Sequence, residues 1–255
     1  MKKRIKLQVL LYTALTVFSW MIVGLGAARQ KRDLVAELKP RILNEENNHF
    51  LGMDDVKEIV RDIQERPIEE CKVGEVKTDA IEGKLRENPY VKNAEAYTEI
   101  GGTVVVELEL RKPLARVMYD DGSGFYLDRE YRKVDLSHNF SANILLVRGM
   151  EREALEPRDT VKSAQLLALE EFLKYVDQSE FLRSQISEVV VRDNGDLVIY
   201  PEVGDVLIEF GPPTEVAKKF SNMELFYQRV LNRVGWRKYR SISLKYKDQV
   251  VAKRK

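Results

Sequence analysis

From Leu7 to Ala28 the chain has no lysine, arginine, aspartate or glutamate. At about 1.5 Å per helical residue, a helix over these 22 residues crosses the roughly 30 Å hydrocarbon core of a bilayer. A charge at the bilayer centre costs on the order of 3 kcal/mol on insertion scales, so the run predicts a transmembrane helix over residues 7–28. Lys2, Lys3, Arg4 and Lys6 favour a cytoplasmic tail over residues 1–6. Arg29, Lys31 and Arg32 oppose that bias, but large domains translocate largely regardless of flanking charge. The expected topology is therefore tail inside, bulk outside. A cleaved secretory signal shares the basic start, and Gly24, Gly26, Ala27 and Ala28 offer a peptidase small residues. The apolar core of such a signal is typically about 7–15 residues, shorter than this run. On either reading the remainder is exported.

Four of the 42 basic residues lie in the tail, so the rest of the chain carries 38 against 41 acidic ones, a net of −3. That balance is no nucleic-acid footprint. The residues from Arg29 onward are enough for two small cores or one larger one. Cys71 is the single cysteine, which excludes an intramolecular disulfide.

Beyond the anchor the chain reads as two α+β units, over residues 29–112 and 113–255. In the first, Asp33 to Leu43 offers a weakly patterned strand. Val56, Ile59, Val60 and Ile63 form a helical stripe within Met53 to Gln64, with Asp55 and Glu58 as its capping pair. Asp79, Ile81, Glu82 and Leu85 mark a second helix, which Asn88-Pro89 ends because a residue before proline avoids the helical region. Tyr90 to Thr98 reads as a strand, Gly101-Gly102 as a turn, and Thr103 to Arg111 alternates. Val104, Val106, Leu108 and Leu110 share one of its faces; Val105, Glu107, Glu109 and Arg111 share the other. The order is β-α-α-β-β.

In the second unit, Ala115 to Tyr119 and Phe125 to Asp128 flank a turn-rich Asp120 to Gly124, and Ile144 to Arg148 adds a strand. Arg158 to Val176 predicts a helix with Val161, Ala164, Ala168, Phe172 and Val176 in its stripe. Ile186 to Arg192 and Leu197 to Tyr200 flank Asp193-Asn194-Gly195-Asp196, and Asn-Gly is the strongest short hairpin signal. Val206 to Phe210 follows as a third strand. Thr214 to Val234 predicts a helix with Val216, Phe220, Met223, Tyr227 and Val230 on one side. The pattern predicts an antiparallel sheet that closes on one extended segment, Ser241 to Ala252, where Ile242, Leu244 and Tyr246 alternate.

Residues that carry chemistry are sparse. His49 and His138 lie far apart with Cys71 alone between them, which is not zinc-ligand spacing, so no metal is expected. Phosphate loops and serine nucleophile elbows are absent from the sequence, and no cofactor or small-molecule substrate is expected. Asp120 with Asp121, and Asp193 with Asp205, are conceivable carboxylate pairs for glycoside hydrolysis. Each lies in or beside a turn, where aspartate is favoured for backbone hydrogen bonding. Cys71 reads as a small buried hydrophobe. A terminal strand, in contrast, leaves one row of backbone donors and acceptors unpaired, and such an edge accepts an extended partner by β-augmentation. Lys245, Lys247 and Lys253 suit two roles there: guarding the edge against aggregation, and meeting an acidic peptide.

Asn88-Pro89-Tyr90-Val91, Ala94-Glu95-Ala96-Tyr97, Gly101-Gly102, Val104 to Glu109 and Arg111-Lys112-Pro113 to Arg116-Val117 resemble the POTRA module, and the exit from it, of the FtsQ/DivIB cell-division proteins. Phe125 to Asp128 and Val134 to Ser137 look like the start of that family's β domain, and Ile242 to Val251 like its closing strand. Tyr131 stands where the family usually has a turn glycine, and Leu110 replaces a common glutamine.

The resemblance implies a divisome scaffold that is not an enzyme. It implies a single-pass type II protein of the bacterial cytoplasmic (inner) membrane, with POTRA and β domains on the periplasmic side at the septum. The implied partners are FtsB/FtsL-like division proteins and other divisome components. The family's last strand pairs with an extended FtsB segment, and the matching positions are Ser243, Leu244, Lys245, Tyr246, Lys247, Asp248, Val250 and Val251. An exported POTRA-type module serving outer-membrane protein assembly or secretion is the alternative; it needs a downstream barrel, and no barrel strands follow in this sequence.

Overall fold

The structure is a computed structural model that describes residues 15–21, 33–44, 48–137, 140–152, 160, 164–235, 238–247 and 249–255. Within the uncharged run, residues 15–21 are helical and exposed, and the rest of the run lies outside the described residues. Among the described residues no helix is long and apolar enough to cross a membrane. The chain divides into two units between Leu110 and Arg111.

In the first unit, β1 (Glu37–Ile42), α1 (Met53–Gln64), α2 (Thr78–Glu87), β2 (Val91–Thr98) and β3 (Thr103–Leu110) follow the expected β-α-α-β-β order. The weakly patterned first strand does join the sheet, pairing parallel with β3, while β2 pairs antiparallel on its other side. Parallel pairing is possible because the chain between β1 and β3 makes a long crossover through both helices. Val56 and Val60 of α1, Ile81 and Leu85 of α2, and Val104, Val106, Leu108 and Leu110 of β3 are buried in one core. Cys71 joins them, its Sγ within 3.2 Å of Arg66 Nε. The expected cap of α1 is displaced. Gly52 is the N-cap residue, and Asp55 reaches back from inside the helix to accept the Gly52 N–H at 2.8 Å. Asn88 caps α2 in extended conformation before Pro89.

The second unit holds β4 (Pro113–Met118), β5 (Gly124–Asp128), β6 (Lys133–Asp135), β7 (Leu146–Arg148), β8 (Ile186–Val191), β9 (Leu197–Pro201), β10 (Leu207–Gly211), β11 (Tyr239–Ser243) and β12 (Val251–Arg254). They form one sheet in the order β12-β11-β10-β9-β8-β7-β4-β5-β6. The expectation of an antiparallel sheet is corrected: β4 with β7, β7 with β8, and β10 with β11 run parallel. The last of these follows from the helix after β10, which returns the chain to the starting end of the sheet. Helix α3 (Ala164–Gln178) buries Leu166, Leu169, Phe172, Leu173 and Val176. Ala164 and Ala168, expected in its stripe, are exposed, since the larger leucines claim the core; Val161 lies outside the described residues. After the short α4 (Glu180–Gln185), α5 (Val216–Phe226) runs on through a π-turn over Tyr227–Leu231. The wider turn brings Leu231 into the core instead of the expected Val230, which is half-buried.

Arg111, which follows the last strand residue Leu110, is buried against Asp128, Nη1 to Oδ2 at 2.8 Å. Asp128 Oδ1 also accepts the backbone N–H groups of Glu130 and Arg132, both at 2.8 Å. These bonds hold the turn in which Tyr131 takes φ +58°, the left-handed region where glycine costs least.

Candidate functional site

The closing segment is two strands, not the single extended one expected. β11 pairs parallel with β10, the chain then turns through residues 244–250, and β12 returns antiparallel to β11, matching Ser243 with Val251 and Ile242 with Ala252. Gln249 N–H bonds the Tyr246 carbonyl across the turn at 3.4 Å. The polar run from Lys245 to Gln249 breaks the apolar alternation, and that was the available signal for a turn.

Fold and register place the predicted partner-binding residues in different environments. Ser243 and Leu244 are buried, and the Leu244 N–H bonds the Glu209 carbonyl at 2.8 Å. Lys245 donates to Asp196 Oδ2 at 2.6 Å. Its stem crosses Gly211, where an added Cβ would lie 2.8 Å from Lys245 Cγ. The Lys245 hydrogen bond is the main cause holding the Asp196 carboxyl below the ordinary aspartate value, with burial acting in the opposite direction. Lys245 is thus engaged inside the domain. Tyr246 and Lys247 are exposed, and they line a small cleft with Lys218 and Asn222 of α5. Val250 is half-buried and Val251 exposed; Asp248 lies outside the described residues.

β12 is the end of the sheet, and among the described residues no strand lies beyond it. Lys253 and Arg254, together with Val251, make its exposed side chains, while Ala252 is half-buried against the core. Lys255 N–H bonds inward to the Lys238 carbonyl at 3.1 Å. Strand alternation then turns the N–H groups of Ala252 and Arg254 outward, toward the open edge. Val251 is the one residue of this end strand among the positions expected from the sequence; Ala252 and Arg254 lie beyond them, because the alternation points to an edge ahead of the turn.

Of the aspartates considered as carboxylate pairs, Asp121 does local work. It accepts from the backbone and hydroxyl of Ser123 and pairs with Arg152 at 2.6 Å, which together bring its carboxyl down to about 2. Among the described residues, no group of three or more His, Cys, Asp and Glu side chains is arranged to hold a metal.

A family model described as FtsQ/DivIB, C-terminal related, matches residues 112–253, more than half of the chain. The chain belongs to the FtsQ/DivIB family. A model for the POTRA-like domain matches residues 35–109, the span of the β-α-α-β-β unit. Among the curated proteins none matches the chain. FtsQ/DivIB proteins are non-enzymatic scaffolds, and the pairing of a POTRA-like domain with an FtsQ/DivIB-related one gives this chain the make-up of a division-related scaffold.

Proposed function

We propose that the chain is a divisome scaffold that binds an FtsB/FtsL-like partner by β-augmentation on the open edge of β12. The observation that carries this reading is the edge itself: an FtsQ/DivIB-related domain whose nine-stranded sheet ends in a short exposed strand at its carboxyl terminus. A partner strand laid along residues 251–254 takes up the outward backbone groups, and Tyr246 and Lys247 in the preceding turn flank its end. Lys247, Lys253 and Arg254 give that rim a positive character suited to acidic side chains on the partner. The uncharged run over residues 7–28 supplies the anchor in the cytoplasmic membrane, with both folded units on the extracytoplasmic side. Recruitment to the septum then follows from joining partners there, without chemistry of its own.

Photocrosslinkers placed at Tyr246 and Val251 in dividing cells test the reading, with Asp135 on the opposite edge strand as control. The expected result is capture of an FtsB- or FtsL-like protein from the first two positions and not from the third. Equal capture from all three positions, or of no division protein at all, overturns it.

A further inference from the structure

The turn between β2 and β3 carries an apolar residue that the first unit's core does not use. Ile100 is 97% exposed, more than any other large apolar side chain among the described residues. It occupies the second position of a turn closed by the Gly102 N–H on the Glu99 carbonyl at 3.2 Å. Gly, Pro, Asn, Asp and Ser are the usual residues of such a turn, each for a backbone reason that isoleucine does not share. Gly101 and Gly102, at φ +101° and +88°, already satisfy the turn's backbone demand, so the isoleucine adds nothing to it.

This turn lies beside the point where the chain enters the unit. The Ala36 N–H bonds the Gly102 carbonyl at 3.0 Å, and a Cβ on Gly102 would stand 3.2 Å from the Leu34 carbonyl. The Val35 N–H bonds Cys71, and the Val73 N–H bonds Asp33, at 2.9 and 3.0 Å. The first residues of the unit are therefore fixed to the same end of the sheet as the turn. Leu34 is itself exposed. Only residues 29–32 separate Asp33 from the uncharged run. Five residue steps from Ala28 to Asp33 span at most about 17 Å even when fully extended. Three of those four residues are Arg29, Lys31 and Arg32, cations that suit a headgroup layer.

We propose that this end of the first unit is a membrane contact, with Ile100 and Leu34 set into the headgroup layer of the bilayer that anchors the chain. The inference rests on the anchor reading above. Its ligand is a lipid surface: a protein partner has no comparable argument here, whereas the tether holds this end near lipid whatever else is bound. Lys72, paired to Leu34 by a backbone bridge, is exposed at the same end, with its Nζ 3.5 Å from the Glu75 carboxylate. The contact limits how the unit swings on its short tether.

The test uses the full chain in vesicles of phosphatidylethanolamine and phosphatidylglycerol, spin-labelled at Trp20→Cys, Ile100→Cys or Leu43→Cys. Leu43 follows β1 at its far end and is also well exposed, which makes it the water-facing control. The parent chain, whose one cysteine is buried, sets the labelling background. Matching thermal unfolding confirms that each variant folds. Expected is an oxygen-to-nickel-chelate accessibility ratio at Ile100 on the order of threefold above that at Leu43, as for a side chain at the headgroup boundary. A water-like ratio at Ile100 with a lipid-like ratio at Trp20 overturns the contact and leaves the anchor standing. A water-like ratio at Trp20 removes the anchor and this inference with it. Equal lipid exposure at Ile100 and Leu43, or exclusion of both probes from Ile100, also overturns it.

Discussion

The Lys245 ammonium lies 2.6 Å from the Asp196 carboxylate, tying the turn after β11 to the loop between β8 and β9. Both groups are substantially shielded, so Lys245→Met is expected to lose on the order of 1 kcal/mol at neutral pH. The pair holds the Asp196 carboxyl below its ordinary value, so its contribution is present in full above the unfolded value of about 3.9 and fades as pH falls through the folded one. Urea denaturation in detergent micelles at pH 7 and pH 3 measures both effects. The gap between parent and variant should narrow in acid; a gap of constant size rules out the ion pair as its cause.

Gly211 has φ +76°, and the Lys245 stem fills the space where its side chain would be. Gly211→Ala therefore meets both a strained backbone and a neighbour that must shift. A loss of about 1–2 kcal/mol is expected from the left-handed conformation alone. The same variant should loosen the 244–250 turn, read as faster amide exchange at Leu244, whose N–H bonds Glu209. Unchanged exchange at Leu244 with full stability separates the glycine from the turn.

Local signals in the sequence carried the parts of the fold that local physics decides. Asn194-Gly195 marked the β8–β9 hairpin, and Val56, Ile59, Val60 and Ile63 marked α1, because turn backbone and helical period are set within a few residues. The parallel pairing of β1 with β3 and of β10 with β11 depends on crossovers, which leave no periodic trace in the strands themselves. Alternation placed Arg111 on the Val105, Glu107 and Glu109 face of its strand but could not supply its partner, because Asp128 arrives 17 residues later from β5. At the candidate site, alternation through Ile242 and Leu244 is a true strand and core signal. It was extended to Tyr246 across what is a turn, so the open edge came out one strand too early.

Arg111→Met leaves Asp128 buried beside Glu130, whose carboxylate also lies 3.5 Å from Arg111. Removing one partner of a buried pair costs about 3–5 kcal/mol, far above the exposed pairs of this chain. Denaturation of Arg111→Met and of Lys133→Met, whose Asp135 contact is 3.6 Å and partly solvated, compares the two directly. Equal losses contradict the burial argument.

Tyr131→Phe is expected to stabilise the second unit by about 1 kcal/mol. Among the described residues the buried Tyr131 hydroxyl has no hydrogen-bond partner, and burial pushes its pKa up to about 12. Removing the oxygen ends that desolvation cost while keeping the ring near Lys174. Thermal unfolding of the single variant reads the sign, and a lower melting temperature contradicts it.

Ala252→Pro separates edge pairing from general damage. The Ala252 N–H turns outward, so proline there removes a donor offered to a partner while leaving the bonds between β12 and β11 in place, and proline is tolerated on an edge strand in that orientation. Lys253→Pro instead removes an inward donor and should unpair the hairpin. Binding to an FtsB/FtsL-like partner, followed by titration of the purified proteins, is expected to fall at least about tenfold for Ala252→Pro, with the melting temperature held near that of the parent. Tyr246→Pro, in the turn, should weaken binding less, because Tyr246 offers the partner a side chain and not a strand donor. If Tyr246→Pro abolishes binding and Ala252→Pro leaves it intact, the partner docks on the turn and the edge of β12 is not its seat.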